Sequence, residues 1–182
     1  VTGVNNNAIG QAALYALAGG GYNQAFGVSA LQSCTSGDFN IAIGNTALFT
    51  SDTEQHNLGI GHGALEVVNS GGEYNVAIGN QALDALTSGD QNVAVGFASG
   101  TALQGGSNNT FVGNASGAAQ TSASNNVLIG GDAGAALTTG GSNVFIGYTA
   151  GDGHDTEGSN LGIGQAALGG AIAGGEFNVA VG

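Results

Sequence analysis

Apolar residues in this chain fall two apart within short runs, as in Val76 and Ile78, Val93 and Val95, and Val144 and Ile146, each run opened by Asn and closed by Gly. Alternation with branched side chains is the signature of a short strand rather than a helix. Glycine every few residues disfavours helix further. The run recurs as Asn-x-small-Ile/Val-Gly at Asn6, Asn23, Asn40, Asn57, Asn75, Asn92, Asn109, Asn126, Asn143, Asn160 and Asn178. These eleven copies are 17 residues apart except for two steps of 18, Asn57 to Asn75 and Asn160 to Asn178. A second short pattern follows each glycine, as in NTAL (45–48), NQAL (80–83) and NASG (114–117), and predicts a second short strand.

A strand this short cannot bury its apolar face alone, so the coils must stack on one another at about 4.8 Å, and ten steps give a rod on the order of 50 Å long. The expected fold is all-β, a parallel β-solenoid of about eleven 17-residue coils forming a single repeat domain over residues 1–182. Stacking aligns the eleven asparagines into a structural ladder whose amides bond to one another or hold the turns.

Large and small residues alternate between two slots. Leu48, Leu65 and Leu83 accompany Ala42, Gly59 and Ala77, whereas Gly117, Gly134 and Gly151 accompany Phe111, Leu128 and Phe145. Such compensation is expected where two positions fill one space. With Val and Ile assigned to the inside of the coil, this second layer is expected outside it, so Leu48, Leu65, Leu83, Phe111, Leu128 and Phe145 form the expected interchain packing set.

A longer period overlies the short one. The two wide steps lie 103 residues apart, and residues 52–79 match residues 155–182 at 17 of 28 positions. Six coils therefore make a superunit. The chain starts at Val-Thr-Gly and stops inside a motif, so a fragment of a longer fibre is the expectation.

Composition narrows the function. The chain has 37 glycines, no Pro, no Lys or Arg, and a net charge of −12. Binding to nucleic acid needs basic residues at the phosphates and is excluded as a partner class. No run of about 18 apolar residues is present, which argues against membrane insertion. Cys34 is the only cysteine, so no disulfide forms within the chain.

Candidate chemistry is sparse. Asp152, Asp155 and Glu157, with Asp52 and Glu54 at the equivalent Asp-Thr-Glu, are the candidate metal ligands, and calcium is the cofactor that oxygen-rich loops of this kind would take. The D-x-[DN]-x-[DN]-G loop is missing, so no cofactor is the primary expectation. His56, His62 and His154 lack zinc spacing. His56 and His62 face Ser159 and Gln165 in the second superunit, which makes them incidental on this reading. The hexapeptide acyltransferase pattern fits IGNTAL (43–48) but occurs only once per coil. No catalytic residue emerges, and a non-enzymatic protein is expected. Tyr15, Tyr22, Phe39, Phe49 and Tyr74 are the aromatic candidates for stacking on sugars. An ice-binding solenoid ranks low, because Thr46, Thr110 and Thr149 occupy different slots.

The run Asn-x-Ala-Ile-Gly-x-x-Ala-Leu resembles the head repeats of trimeric autotransporter adhesins of the YadA type. It is most similar to the NTAIGxxAL repeats of phage tail fibres and related surface fibre proteins. The resemblance implies a left-handed β-roll in a side-by-side homotrimer, extracellular, at a cell surface or virion surface. The function it implies is a fibre or adhesin head segment, a rigid spacer whose loops carry any contact with a glycan or protein receptor. The alternative is a subunit of a self-assembling extracellular filament, with other copies of the chain as its partner. The chain departs from autotransporter heads in its 17-residue coil and its lack of basic residues.

Overall fold

A computed structural model describes residues 3–153, 155–170 and 175–182. Its strands are β1 Asn7–Ile9, β2 Gln24–Phe26, β3 Ile41–Ile43, β4 Leu58–Ile60, β5 Val76–Ile78, β6 Val93–Val95, β7 Thr110–Val112, β8 Val127–Ile129, β9 Val144–Ile146, β10 Leu161–Ile163 and β11 Val179–Val181. They form one parallel sheet in sequence order. The register advances by one coil at each step, as in Val76↔Val93 and Val93↔Thr110. The wide steps keep it, with Leu58↔Val76 and Leu161↔Val179. The fold is an all-β parallel β-solenoid.

The second pattern of each coil is a turn and not a strand. In NQAL, Gln81 and Leu83 take φ values of 59° and 50°, the left-handed region that side chains rarely enter and that no strand tolerates. The turns are nevertheless laddered: Leu83 N donates to Ser99 O at 3.0 Å and Gln81 N to His62 O at 2.9 Å. Alternation in the sequence reports side-chain placement, and it cannot distinguish a strand from a turn whose φ changes sign at every residue.

From Gly10 to Gly164, the glycine that closes each strand run is required by close stacking on the next coil. At Gly96, φ is +141° and an added Cβ would lie 2.3 Å from Gly113 O in the next coil. The one-residue insertion of the first wide coil is accommodated outward at Gly71, where φ is +97° and an added Cβ would meet nothing.

The two faces of the sheet are reversed from the sequence expectation. The middle residue of each strand points inward: Ala42, Ala77, Phe111, Leu128 and Phe145 are fully buried. The flanking branched residues point outward, with Ile41, Ile43 and Ile78 at 37%, 40% and 37% exposure. Leu48, Leu65, Leu83, Phe111, Leu128 and Phe145 are therefore this chain's own core and not an interchain layer, since each has 0% exposure within a single chain. The compensation of large for small is real but internal. An added Cβ on Gly117 would lie 2.8 Å from Phe111 Cε1, and one on Gly151 2.1 Å from Phe145 Cδ2.

A third inward column runs through Cys34, Ser51, Val68, Leu86, Leu103, Gln120 and Leu137, all buried. Burial raises the Cys34 thiol to about 11, so it is protonated at neutral pH. Gln120 lies between leucines, with neither Oε1 nor Nε2 hydrogen-bonded. Replacing Gln120 by leucine removes two orphaned polar atoms at nearly constant volume, and the expected gain is about 1–3 kcal/mol, read as a higher midpoint in denaturant unfolding.

Candidate functional site

The asparagine ladder is the most regular polar feature. Each ladder asparagine accepts, at Oδ1, the backbone N–H of the next, from Asn23 N to Asn6 Oδ1 at 2.9 Å through Asn178 N to Asn160 Oδ1 at 2.9 Å. Its Nδ2 donates to a carbonyl 14 residues on, such as Asn75 to Gly89 O and Asn92 to Gly106 O, both at 2.8 Å. In the wide coils the reach becomes 15 residues: Asn57 donates to Gly72 O at 2.8 Å and Asn160 to Gly175 O at 3.0 Å. Asn23 through Asn160 are buried. The ladder is directional, because every Oδ1 faces the coil that follows.

The Asp-Thr-Glu turns are built around their glutamates. Glu54, 3% exposed, accepts at Oε2 from Asp52 N at 2.7 Å and from Thr53 N at 3.1 Å. Its Oε1 accepts from Gly71 N at 3.1 Å, so the carboxylate holds the inserted residue of the wide coil. Glu157 repeats the first half, accepting from Asp155 N at 2.9 Å and Thr156 N at 3.1 Å. The equivalent of Gly71 there is residue 174, outside the described residues. The Asp-Thr-Glu before the first 18-residue step thus has a mechanical role, and the one before the second repeats its turn.

Converging N–H dipoles make a positive environment suited to a carboxylate, and they work against a cation at the same oxygens. Asp52 and Asp155 are likewise engaged, accepting from Thr35 Oγ1 and, at 2.6 Å, from Thr138 Oγ1. The proposed metal ligands Asp52, Glu54, Asp152, Asp155 and Glu157 are not assembled into a coordinating group; among the described residues no three His, Cys, Asp or Glu side chains converge. His154 lies outside the described residues. Other acids join adjacent coils: Asp38 Oδ1 accepts from Gly21 N at 2.6 Å and Asp90 Oδ1 from Glu73 N at 2.9 Å. They are interlocking parts of the stack as well as solvated charges.

Glu54→Ala leaves three N–H groups without their acceptor and releases the inserted residue. The expected loss is about 2–3 kcal/mol, with faster hydrogen exchange at the Gly71, Asp52 and Thr53 amides and little change several coils away.

Four rings stand in one column. Tyr22 and Phe39 stack at 4.9 Å, Phe39 and His56 at 5.0 Å, and His56 and Tyr74 at 4.8 Å, each pair within 5° of parallel. His56 is therefore not incidental: it continues an aromatic ladder. The signal was available in the sequence, because all four residues immediately precede a ladder asparagine. The slot has the left-handed backbone, φ 58° at Phe39, His56 and Tyr74, which aims the rings outward in register. Stacking covers both faces of Phe39 and His56, whereas Tyr22 and Tyr74, at the ends of the column, each stack on one ring only. Tyr15 is apart and 80% exposed, and Phe49 is half-buried. His62 is exposed, its backbone N–H donating to Asn80 Oδ1 at 3.0 Å.

No family model, curated protein or solved structure matches this chain. The described residues form no pocket. The chemically distinctive surfaces are thus the aromatic column and the outward face of the sheet, where two ranks of mostly branched apolar side chains run the length of the rod.

Proposed function

We propose that this chain is a non-enzymatic segment of an extracellular fibre or adhesin head, working as a rigid spacer at a cell or virion surface. The observation that carries the reading is the uninterrupted stack: eleven strands in one in-register parallel sheet, fastened along one side by an asparagine ladder with a hydrogen bond at every step. Such an array resists bending, and among the described residues nothing interrupts the sheet to serve as a hinge. Its polar side chains are largely committed to holding the stack. The resemblance to adhesin heads and tail-fibre repeats adds the left-handed coil and the assembly of three chains side by side, with turn residues as the contact for a glycan or protein receptor.

Electron microscopy of the chain tests the spacer reading: straight particles on the order of 50 Å long support it, and compact or flexible particles overturn it. Native mass measurement tests the number three. A second reading, a subunit of a self-assembling extracellular filament, is favoured by the match between residues 52–79 and 155–182, a superunit that stacking can continue in one direction. Filaments growing with concentration would select it.

A further inference from the structure

We propose that the column of Tyr22, Phe39, His56 and Tyr74 forms one wall of a binding furrow for flat, elongated aromatic cations, which lie along the rod axis across four coils. Three observations carry it. The first is the pair of walls. The ladder asparagine that follows each ring turns inward and is buried, so the ring column and the first outward rank of the sheet, with Ile41, Leu58 and Val76, stand on either side of it. Tyr22, Phe39 and Tyr74 are 48%, 49% and 53% exposed. Backbone makes the floor, and its polar groups are engaged, as where Asn40 N donates to Asn23 Oδ1 and Gln24 N to Asn40 O, both at 2.9 Å. An apolar ligand therefore leaves those hydrogen bonds intact.

The second is the attitude of the rings. Three steps of 4.8–5.0 Å, each within 5° of parallel, make a wall about 15 Å long in which the rings stand on edge. Such a wall offers a comb of ring-edge hydrogens, which favour the negative face of another aromatic ring. Two or three linked or fused rings lying along the axis present that face to every edge at once. A saturated ligand has no such face.

The third is charge. Asp38 and Glu73 immediately precede Phe39 and Tyr74, Asp90 holds the same slot one coil further on, and the chain has no Lys or Arg to neutralise them. Asp38 Oδ1 accepts from Gly21 N at 2.6 Å and Asp90 Oδ1 from Glu73 N at 2.9 Å, which fixes both carboxylates beside the column. A flat cation is drawn to the furrow, and a flat anion of the same size is repelled.

The test uses the full chain and thioflavin T, a cation of linked benzothiazole and aniline rings whose emission rises when rotation between them is blocked. A saturable rise is expected, with a dissociation constant on the order of 10–100 μM for a ligand of this size. Phe39→Asn with Tyr74→Asn is expected to weaken binding tenfold or more, with an unchanged far-ultraviolet circular dichroism spectrum. Asparagine suits the slot, since Asn108 and Asn125 occupy it at φ 60° and 63° where Phe39 and Tyr74 have 58°. Tyr15→Asn, which removes an exposed ring outside the column, is expected to leave binding unchanged. Asp38→Asn with Glu73→Gln keeps acceptor oxygens in place and is expected to weaken thioflavin T several-fold. No saturable rise from the unaltered chain overturns the inference, and so does a rise that survives the loss of Phe39 and Tyr74. Binding that ignores Asp38→Asn with Glu73→Gln, or equal ring-dependent binding of the anionic dye 8-anilinonaphthalene-1-sulfonate, overturns the preference for cations.

Discussion

Phe111→Ala is expected to destabilise the middle of the rod by about 3–5 kcal/mol, and adding Gly117→Leu to restore a large part of that loss. Phe111 is fully buried, and its ring fills the space of two coils. An added Cβ would stand 2.6 Å from its Cδ2 at Gly100 and 2.8 Å from its Cε1 at Gly117. Truncation empties that volume, and the ladders above and below prevent collapse. Gly117→Leu alone is expected to destabilise as well, because leucine and the ring claim one space. The double variant re-creates the arrangement of the coil with Ala77 and Leu83. The backbone already suits it, since φ is +62° at Gly117 and 50° at Leu83. A coupling on the order of 2 kcal/mol between the two sites, measured by denaturant unfolding of the four variants, is the expected sign of one shared volume. Additive losses would mean that the two slots pack separately.

That coupling also shows how far the sequence could be read. The opposition of Leu83 to Ala77 and of Gly117 to Phe111 was visible as letters and correctly signalled a shared space. Which side of the sheet held it was not visible. Alternation separates two faces without saying which is inside, and both faces of these strands carry apolar residues. Size was the better guide: a slot alternating between Gly and Phe must be enclosed, because only an enclosed volume penalises the wrong size. Val and Ile at the flanks suit an extended backbone and need not be inside. Conformation was the other hidden quantity. Leucines at left-handed φ, such as Leu48 at 52°, defy local preference and are held there by burial and by the interchain-like ladder between coils. The period, by contrast, was fully legible, and with it the asparagine column, because stacking aligns whatever recurs. The Glu54 clamp lay between these extremes. Its recurrence before each wide coil could be seen, but its bond to Gly71 N needed the fold.

Asn92→Ala is expected to cost about 3–5 kcal/mol, as much as the loss of a core aromatic, although it removes only a small polar side chain. Asn92 is fully buried and lies mid-ladder. Its Oδ1 accepts from Asn109 N and Nδ2, both at 3.0 Å, and its Nδ2 donates to Gly106 O at 2.8 Å. Alanine leaves the Asn109 N–H and the Gly106 carbonyl enclosed without a partner, and each orphaned group costs about 1–3 kcal/mol. The exposed Asn114, in a slot outside the ladder, is the control: Asn114→Ala is expected to stay within about 0.5 kcal/mol of the unaltered chain. Hydrogen exchange should show the Asn109 amide losing protection first, with its neighbours following and distant coils unaffected, because each coil is supported by the coils next to it. Equal effects at Asn92 and Asn114 would mean that the ladder is decoration on a stack held by its apolar core. A large effect confined to Asn92 would make the asparagine column the spine of the rod, and would explain why a chain so free in its turn residues returns to asparagine in all eleven copies of the repeat.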